Sequence, residues 1–554
     1  MRLLGVNAIF HDPSAALVVD GEIVAAAEEE RFSRRKHGKR PVPFAAWELP
    51  EQAIRWCLES AGLTAADIDA VGYSFDPGLS KPVDEMGLHD PWDHLRVMYA
   101  ERAPAFLAGA LPGLDPATVH YVPHHVAHAA SAALASPYRE SSVLVLDGRG
   151  ERASHLAGRY SGGRLEVLAS QELPHSLGLL YESLTEYLGF LRSSDEYKVM
   201  ALASYGRPVH LDELRELIYS TEDGGFRAEP PDWRRWAPPR TGSDWRADHA
   251  NLAASVQVRL EEVLVDLARW LHERTGDRVL TMAGGTALNC VANSRIWRET
   301  PFEEVWVQPA AGDAGTSLGA ALQLSADAGT DAAPMPDAAL GRSWSDDELA
   351  AWLRGAAVPF TTPPDLADQV AEVLAANGVV GWFDGRSEYG PRALGHRSLL
   401  ASPADPDNQE RLNAVKGREQ FRPLAPMVLA ERAAEIFSGG PLPSPYMLFV
   451  HEVAPEWRDR IPAVVHVDGT ARVQTVDADA LPRVAALIRA FEARTGLPVL
   501  LNTSLNTAGR PMVDDPRDAL ELFGSSPVDV LVLGPHLVRR SAVFAGVTTP
   551  GDRW

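Results

Sequence analysis

The chain of 554 residues has little cysteine and less lysine than its size leads one to expect: two cysteines, Cys57 and Cys290, and five lysines among 52 basic residues. Two distant cysteines without CxxC spacing exclude a disulfide framework and a zinc ribbon. No run of about 18 apolar residues occurs, so nothing reads as a membrane span. No charged n-region followed by an apolar core heads the sequence, and the expectation is a cytoplasmic protein with no membrane partner. Positive charge is also short: 75 acidic residues leave a net charge of −23 and a pI near 5.2. Nucleic-acid binders concentrate Lys and Arg, so no nucleic-acid partner is expected. Small anionic substrates remain open, because a few local arginines override the mean field.

Arginine stands where lysine is missing, an Arg and Ala bias like that of a high-GC genome. Lys and Arg are not equivalent at binding sites, so the remaining lysines are informative. Lys36, Lys198 and Lys416 fall in the motifs below, while Lys39 and Lys81 do not.

The length calls for two or more domains, and 45% hydrophobic with 23% charged residues is globular composition. Apolar runs at Leu3–Asn7, Ala15–Val19 and Glu22–Ala27, with Asp20-Gly21 between the last two, read as strands and a hairpin. Pro50 suits a helix start and Glu51–Ala61 has helical periodicity, followed by a strand over Ala66–Tyr73. Strands and helices go on alternating, which predicts an α/β architecture. The Pro-, Trp- and Arg-rich stretch Glu222–Asp248 reads as an insertion or lid, and its part from Trp233 to Trp245 is expected near an acceptor-facing cleft. The break at Asp327–Asp346 places a domain boundary, giving domains 1–345 and 346–554; a helix over Leu366–Asn377 and a strand over Val379–Phe383 follow it. No internal repeat is evident.

His124 and His128 stand four residues apart in Pro123-His124-His125-Val126-Ala127-His128, so on a helix they share one face. Asp147 ends the apolar run Val143–Leu146 in Asp147-Gly148-Arg149-Gly150, a carboxylate at a loop mouth. Two imidazoles and a carboxylate suit a borderline divalent metal. Ordinary packed histidines are the plain alternative. Two Gly-rich turns follow predicted strands: Gly284-Gly285-Thr286-Ala287-Leu288-Asn289, and Gly312-Asp313-Ala314-Gly315. Such turns let backbone amides approach a phosphate, and Asp313 offers a fourth ligand. Lys198 is a candidate phosphate contact or a solvated helix lysine, and His11 a general base or a turn histidine.

The last third sets cations among glycines and amides: Gly390-Pro391-Arg392, Lys416-Gly417-Arg418 with Arg422, Arg472 with Thr475, and Asn502-Thr503-Ser504-Leu505-Asn506. In an acidic chain that set points to a pocket for a phosphorylated ligand.

These strings, from His11 to Arg510, resemble the O-carbamoyltransferase family of the nodulation-factor, cephamycin, tobramycin, novobiocin and ansamycin types. The resemblance implies an actin-like, TsaD-like N-terminal half and a YrdC-like C-terminal half. It implies that carbamoyl phosphate and ATP, with Mg2+, give carbamoyl adenylate in the C-terminal half. The carbamoyl group then passes inside the protein to a hydroxyl of a small-molecule natural product, in antibiotic or other secondary metabolism. Carried over by position, the metal ligands are His124, His128, Asp147 and Asp313, with Fe2+ the usual occupant, and His125 falls outside the set. His11 activates the acceptor hydroxyl; Lys416 and Arg472 act on carbamoyl phosphate and ATP with Arg392, Arg418 and Arg422. Lys36 matches the lysine of a Lys-His-Gly string, and Met447 and Ser504 line the passage. Tyr197 stands where the family has Gly before Lys198, and Leu505 where it has Phe. A homodimer is an open expectation. Alternatives are a tRNA threonylcarbamoylation enzyme, against which the acidic charge speaks; a hydrogenase maturation factor, against which the missing CxxC spacings speak; and a nucleotide-gated scaffold without turnover.

Overall fold

The computed structural model describes residues 1–38, 48–88, 90, 92–242 and 244–544, so Lys39 lies outside the described residues. Two five-stranded sheets build the first 310 residues or so, and they share one plan. The first has the order 22–28, 14–19, 2–7, 70–73, 119–121; the second 164–172, 153–161, 140–146, 279–283, 304–307. In each, an antiparallel meander of three strands is extended by two parallel ones. This duplicated topology is what the actin-like expectation requires, and no sequence repeat announced it.

Two helices fill the space between the sheets. Ala314–Asp327 packs on the first sheet, and His124–Ala133 packs on the second sheet and on Ala314–Asp327. Their backbones approach so closely that a Cβ on Gly319 would come within 1.7 Å of the Ala127 carbonyl oxygen. Gly5 meets the Ser317 carbonyl oxygen in the same way, which presses the second helix onto the central strand. Every residue of His124–Ala133 except Val126 is buried. The helix start has no side-chain cap of its own; Glu151 Oε1 accepts from the His124 N–H at 2.7 Å and takes over that duty.

A mixed seven-stranded sheet in the order 474–476, 425–429, 499–504, 397–401, 380–383, 530–533, 536–539 forms the third layer system. The stretch between the halves is tied down rather than loose. Met335 N–H donates to Ala135 O, Ala26 N–H to Leu340 O, and Arg386 reaches the Val24 and Leu340 carbonyls.

Local expectations hold with small shifts. The helix Glu51–Ser60 and the helix Leu366–Ala375 sit where periodicity put them. The strand expected over Ala66–Tyr73 shrinks to Ala70–Tyr73, because a capping box between Thr64 and Asp67 closes a 3-10 turn at Ala65–Asp67 first. Part of the stretch Glu222–Asp248 does reach the main cavity, with Ala228 and Pro230 on its wall and Trp245 against the wall residues Tyr205 and Phe421, but the lid reading is corrected for the segment around Trp233. Phe226 and Trp233 are buried in the core beside the long helix Ala247–Thr275, and the Trp233 indole donates to Ser183 Oγ at 3.2 Å. Neither Trp233 nor Trp236 lines the main cavity.

Two substitutions test this packing. Trp233→Ala should cost about 3–5 kcal/mol of unfolding free energy in urea titrations, an effect of core loss rather than of acceptor affinity. Gly319→Ala should cost about 2 kcal/mol or more, since the crossing helices must separate; a change within about 0.5 kcal/mol would contradict the close approach.

Candidate active site and metal centre

The cluster of His124, His128, Asp147 and Asp313 follows from the sheet. Strands 140–146, 279–283 and 304–307 are parallel neighbours, so Asp147, Gly285 and Asp313 leave the same edge, at the carboxyl ends. That is where open α/β sheets collect ligands. The helix His124–Ala133 brings both imidazoles over it. One ligand atom from each of the four residues lies within 4.8 Å of all the others, and all four side chains are buried. His124 Nε2 is 3.4 Å from Asp147 Oδ2 and 3.6 Å from Asp313 Oδ1; His128 Nε2 is 3.8 and 3.6 Å from the same atoms.

Two of the four, His124 and Asp147, are held through their other atoms. His124 Nδ1 contacts Ser74 O at 3.0 Å, and Gly285 N–H donates to Asp147 Oδ1 at 3.1 Å. Such outer contacts fix ring orientation and aim Oδ2 inward. The inward atoms have no hydrogen-bond partner: His124 Nε2, His128 Nε2 and both Asp313 oxygens are buried and unsatisfied. One atom from each of the four residues could hold a divalent cation, and two imidazoles with two carboxylates suit a borderline metal. Burial would lower the His124 pKa, but its contacts with Asp147 and Asp313 carry it well above the ordinary value. Asp313 is held down to about 2 despite burial, chiefly by His11 and the two histidines. His125 stays outside the four, yet it is buried with Nε2 3.9 Å from Asp147 Oδ2, and burial pushes its pKa down to about 3.

His11 faces this cluster, with Nε2 3.6 Å from Asp313 Oδ2. Asp12 grips the far side: its Oδ2 is 2.8 Å from His11 Nδ1, and its Oδ1 is 2.6 Å from His37 Nδ1. A carboxylate on Nδ1 sets the tautomer that leaves Nε2 available as a base. His37 and Asp12 were not singled out by sequence, although His37 sits in the same Lys-His-Gly string as Lys36.

The cationic residues gather in a second cluster. Lys416 caps the helix Asp407–Val415 and is buried, with Nζ on Ser504 Oγ at 3.0 Å, Asn506 Oδ1 at 2.5 Å and both backbone carbonyls. Four oxygen acceptors and no donor define an ammonium binding geometry. Burial, with Arg418, Arg422 and Lys36 close by, pushes its pKa well below the ordinary lysine value. Burial and the proximity of Arg472 and Arg422 lower Arg392 to about 9, and Arg418 and Arg472 shift down for similar reasons. Nε of Arg392 and Arg472 and Nη2 of Arg418 lack partners. Such a concentration of buried like charge fits an anion with several oxygens. Glu388 Oε1 holds the loop around Arg392 by accepting from the Leu394, His396 and Arg397 N–H groups.

One cavity of about 1460 Å³ joins the two clusters. His11, Asp147, Gly148, Gly285, Gly312 and Asp313 line one end; Arg392, Lys416, Arg418, Arg422, Arg472 and Asn506 line the other. Lys36 crosses from the N-terminal half to the cationic end, and Met447 and Ser504 are on the wall. Met447 is held at φ 56°, a backbone state few such residues adopt.

Several expected contacts have other duties. Gly150, Gly284, Gly315 and Thr475 stand off the wall. Gly284 and Gly315 admit the Leu146 and Ala310 carbonyls, Gly150 admits the His125 ring, and Thr475 Oγ1 accepts from Ser444 N–H. Asn289 and Asn502 reach the wall with amides engaged by Gln257 and by Ala393 and Gln474. Lys198 pairs with Glu419 at 2.8 Å and Asp195 at 3.0 Å, so it joins the halves, while Arg422 stacks 4.6 Å over Tyr197. Cys290, which no motif flagged, lies on the wall 4.0 Å from Met200 Sδ and beside Arg472.

Removing a ligand tests the cluster directly. His128→Ala and Asp313→Ala should lower divalent-metal affinity by about 100-fold or more, since even outer-shell losses cost about 10–100-fold. Metal content after dialysis against chelator reads this, and retention equal to wild type would refute the ligand set.

The arrangement has counterparts among known proteins. A family model described as carbamoyltransferase N-terminus matches residues 2–83 and 96–322, and one described as carbamoyltransferase C-terminus matches 371–540. Nodulation protein NolNO of Sinorhizobium fredii is 39% identical, over 96% of this chain and 80% of that protein. Nodulation protein NolO of Bradyrhizobium diazoefficiens is 40% identical over 75% of this chain and 78% of its own. Nodulation protein U of Rhizobium tropici is 30% identical over 94% and 93%. Among solved structures, HypF of T. kodakarensis aligns with 59% of this chain and 48% of its own at 14% identity and a TM-score of 0.33, too low to bear on fold or function. With both family models matched across the two clusters and the cavity that joins them, the chain belongs to the carbamoyltransferase family.

Proposed function

We propose that the protein is an ATP-dependent O-carbamoyltransferase acting on a hydroxyl of a small-molecule natural product. The observation that carries this reading is the single cavity with a cation cage at one end and a histidine-carboxylate cluster at the other. Carbamoyl phosphate and ATP are both polyanions, and Lys416, Arg392, Arg418, Arg422 and Arg472 supply the charge to hold them together. There water cleaves carbamoyl phosphate to carbamate and phosphate, and a carbamate oxygen attacks the ATP α-phosphorus, so that pyrophosphate leaves as carbamoyl adenylate forms. The intermediate is labile in water, and an internal route to the second end protects it.

At that end His11 Nε2 accepts the acceptor's hydroxyl proton while Asp12 holds its Nδ1. Oxygen then attacks the carbamoyl carbon and AMP departs. A divalent ion on His124, His128, Asp147 and Asp313, iron by the family resemblance, supplies Lewis acidity when bound. On the family resemblance, the reading extends to antibiotic or related secondary metabolism in the cytoplasm. Domains 1–345 and 346–554 divide the two steps, the first TsaD-like and the second YrdC-like.

Screening hydroxylated natural products with carbamoyl phosphate and ATP should yield a product heavier by about 43 daltons, the mass of CONH₂ replacing hydrogen. His11→Ala should lower kcat with that acceptor by about 10²–10⁴-fold, the range for losing a positioned base. No pyrophosphate from ATP and carbamoyl phosphate, with any acceptor, would overturn the reading.

A further inference from the structure

Between the two ends the cavity wall carries an ion pair that neither step above uses. Glu28 ends the strand Glu22–Glu28, and Arg31 lies in the short helix Glu30–Ser33 that follows. Both line the cavity while being 5% and 3% exposed. Arg31 Nη2 is 3.3 Å from Glu28 Oε1 and donates to Gly390 O at 2.8 Å; Gly390 N–H donates back to Glu28 Oε1 at 2.8 Å. One polar atom of each side chain is left over. Glu28 Oε2 and Arg31 Nε are buried with no partner.

Their place is at the junction. Gly390 is two residues from Arg392 of the cation cage. On the other side, Arg31 Nη1 is 3.3 Å from Glu30 Oε1, and Glu30 Oε2 accepts from His37 N–H at 2.9 Å. His37 contacts Asp12, and Asp12 contacts His11. A run of polar contacts thus leads from the base to Gly390, two residues short of Arg392, and the two unpartnered atoms belong to residues along it.

The missing partners define a chemistry. Arg31 Nε–H calls for an acceptor and Glu28 Oε2 for a donor, each one covalent fork from the 3.3 Å contact between the side chains. Burial lifts the Glu28 carboxyl to about 7 even beside Arg31, the mark of a carboxylate short of donors. A phosphate offers acceptors only and is repelled by Glu28. A carbamoyl group offers a carbonyl oxygen and an NH₂ on one planar carbon.

We propose that Glu28 and Arg31 form a carbamoyl-binding station on the passage, with Arg31 Nε donating to the carbonyl oxygen and Glu28 Oε2 accepting from the NH₂. The station rests on the two-step reading above. No bond forms or breaks there; the adenylate crosses whole, and its hold on the wall limits escape into water.

Hydroxylamine in bulk solution reports escape. Its nitrogen attacks the carbamoyl carbon of released adenylate, AMP leaves, a proton is lost, and hydroxyurea accumulates. With full-length protein, carbamoyl phosphate and ATP, hydroxyurea per pyrophosphate should rise about fivefold in Glu28→Gln and in Arg31→Lys, as expected for one lost hydrogen bond. A ratio equal to wild type overturns the station, as does a folded variant that releases no pyrophosphate. Wild-type protein that releases no pyrophosphate defeats the proposed function instead. Wild-type crystals soaked in methyl carbamate give an answer independent of variant folding: a planar group on Glu28 Oε2 and Arg31 Nε is expected, and water alone at both atoms refutes the assignment.

Discussion

Removing two imidazoles and two carboxylates from water costs several kcal/mol per ion unless something compensates them. His124, His128, Asp147 and Asp313 are buried together, with the inward atoms of His124, His128 and Asp313 unpartnered, and much of the N-terminal half is arranged to hold them there. Gly319 lets the histidine helix lie against Ala314–Asp327, Glu151 caps that helix from a distance, and Gly285 turns Asp147. The cluster sits where the carboxyl ends of three parallel strands meet a helix from the sandwich between the sheets. A divalent metal held by these four residues would compensate the arrangement.

The far end of the cavity repeats the problem with the opposite sign. Buried arginines and Lys416 repel one another; Lys416 and Arg418 meet neutral oxygens of Ser504, Asn506 and Asn413, and Glu419 offsets part of the charge at Arg422. Charge of one sign that is buried and only partly offset favours an anion. The two demands share one cavity, and the halves that create them are locked by Arg386, Lys198, Arg31 and the stretch between Met335 and Leu340. Under the proposed two-step function that lock matters, because a labile intermediate would be protected only if the two ends keep their register.

Much of the site was legible because its chemistry is written in residue type and spacing. Four-residue spacing put His124 and His128 on one face, and a strand ending in Asp-Gly put Asp147 at the edge. The cations of the last third stood out against an acidic chain. Spacing says nothing about whether a glycine faces a ligand or a neighbouring carbonyl, so Gly284 and Gly315 read like Gly285 and Gly312. Lys198 looked available and is spent on Glu419, a partner 221 residues away. The Trp-rich stretch looked like a lid because its partners, the helix 247–275 and Ser183, are equally remote in sequence.

The sequence by itself determined the local periods, the α/β class, the candidate ligands and the cationic strings, because those depend on neighbours a few residues apart. It did not reveal the duplicated sheet plan, which conserves strand direction and order while sharing no visible repeat. Only the tertiary structure decided that the histidine cluster and the cation cage open into one cavity. It also decided that Glu28 and Arg31, charged residues of the string Glu28-Glu29-Glu30-Arg31, are buried beside Gly390. The reason is physical: burial and hydrogen-bond satisfaction are set by segments hundreds of residues apart, and no local pattern encodes which of them will meet.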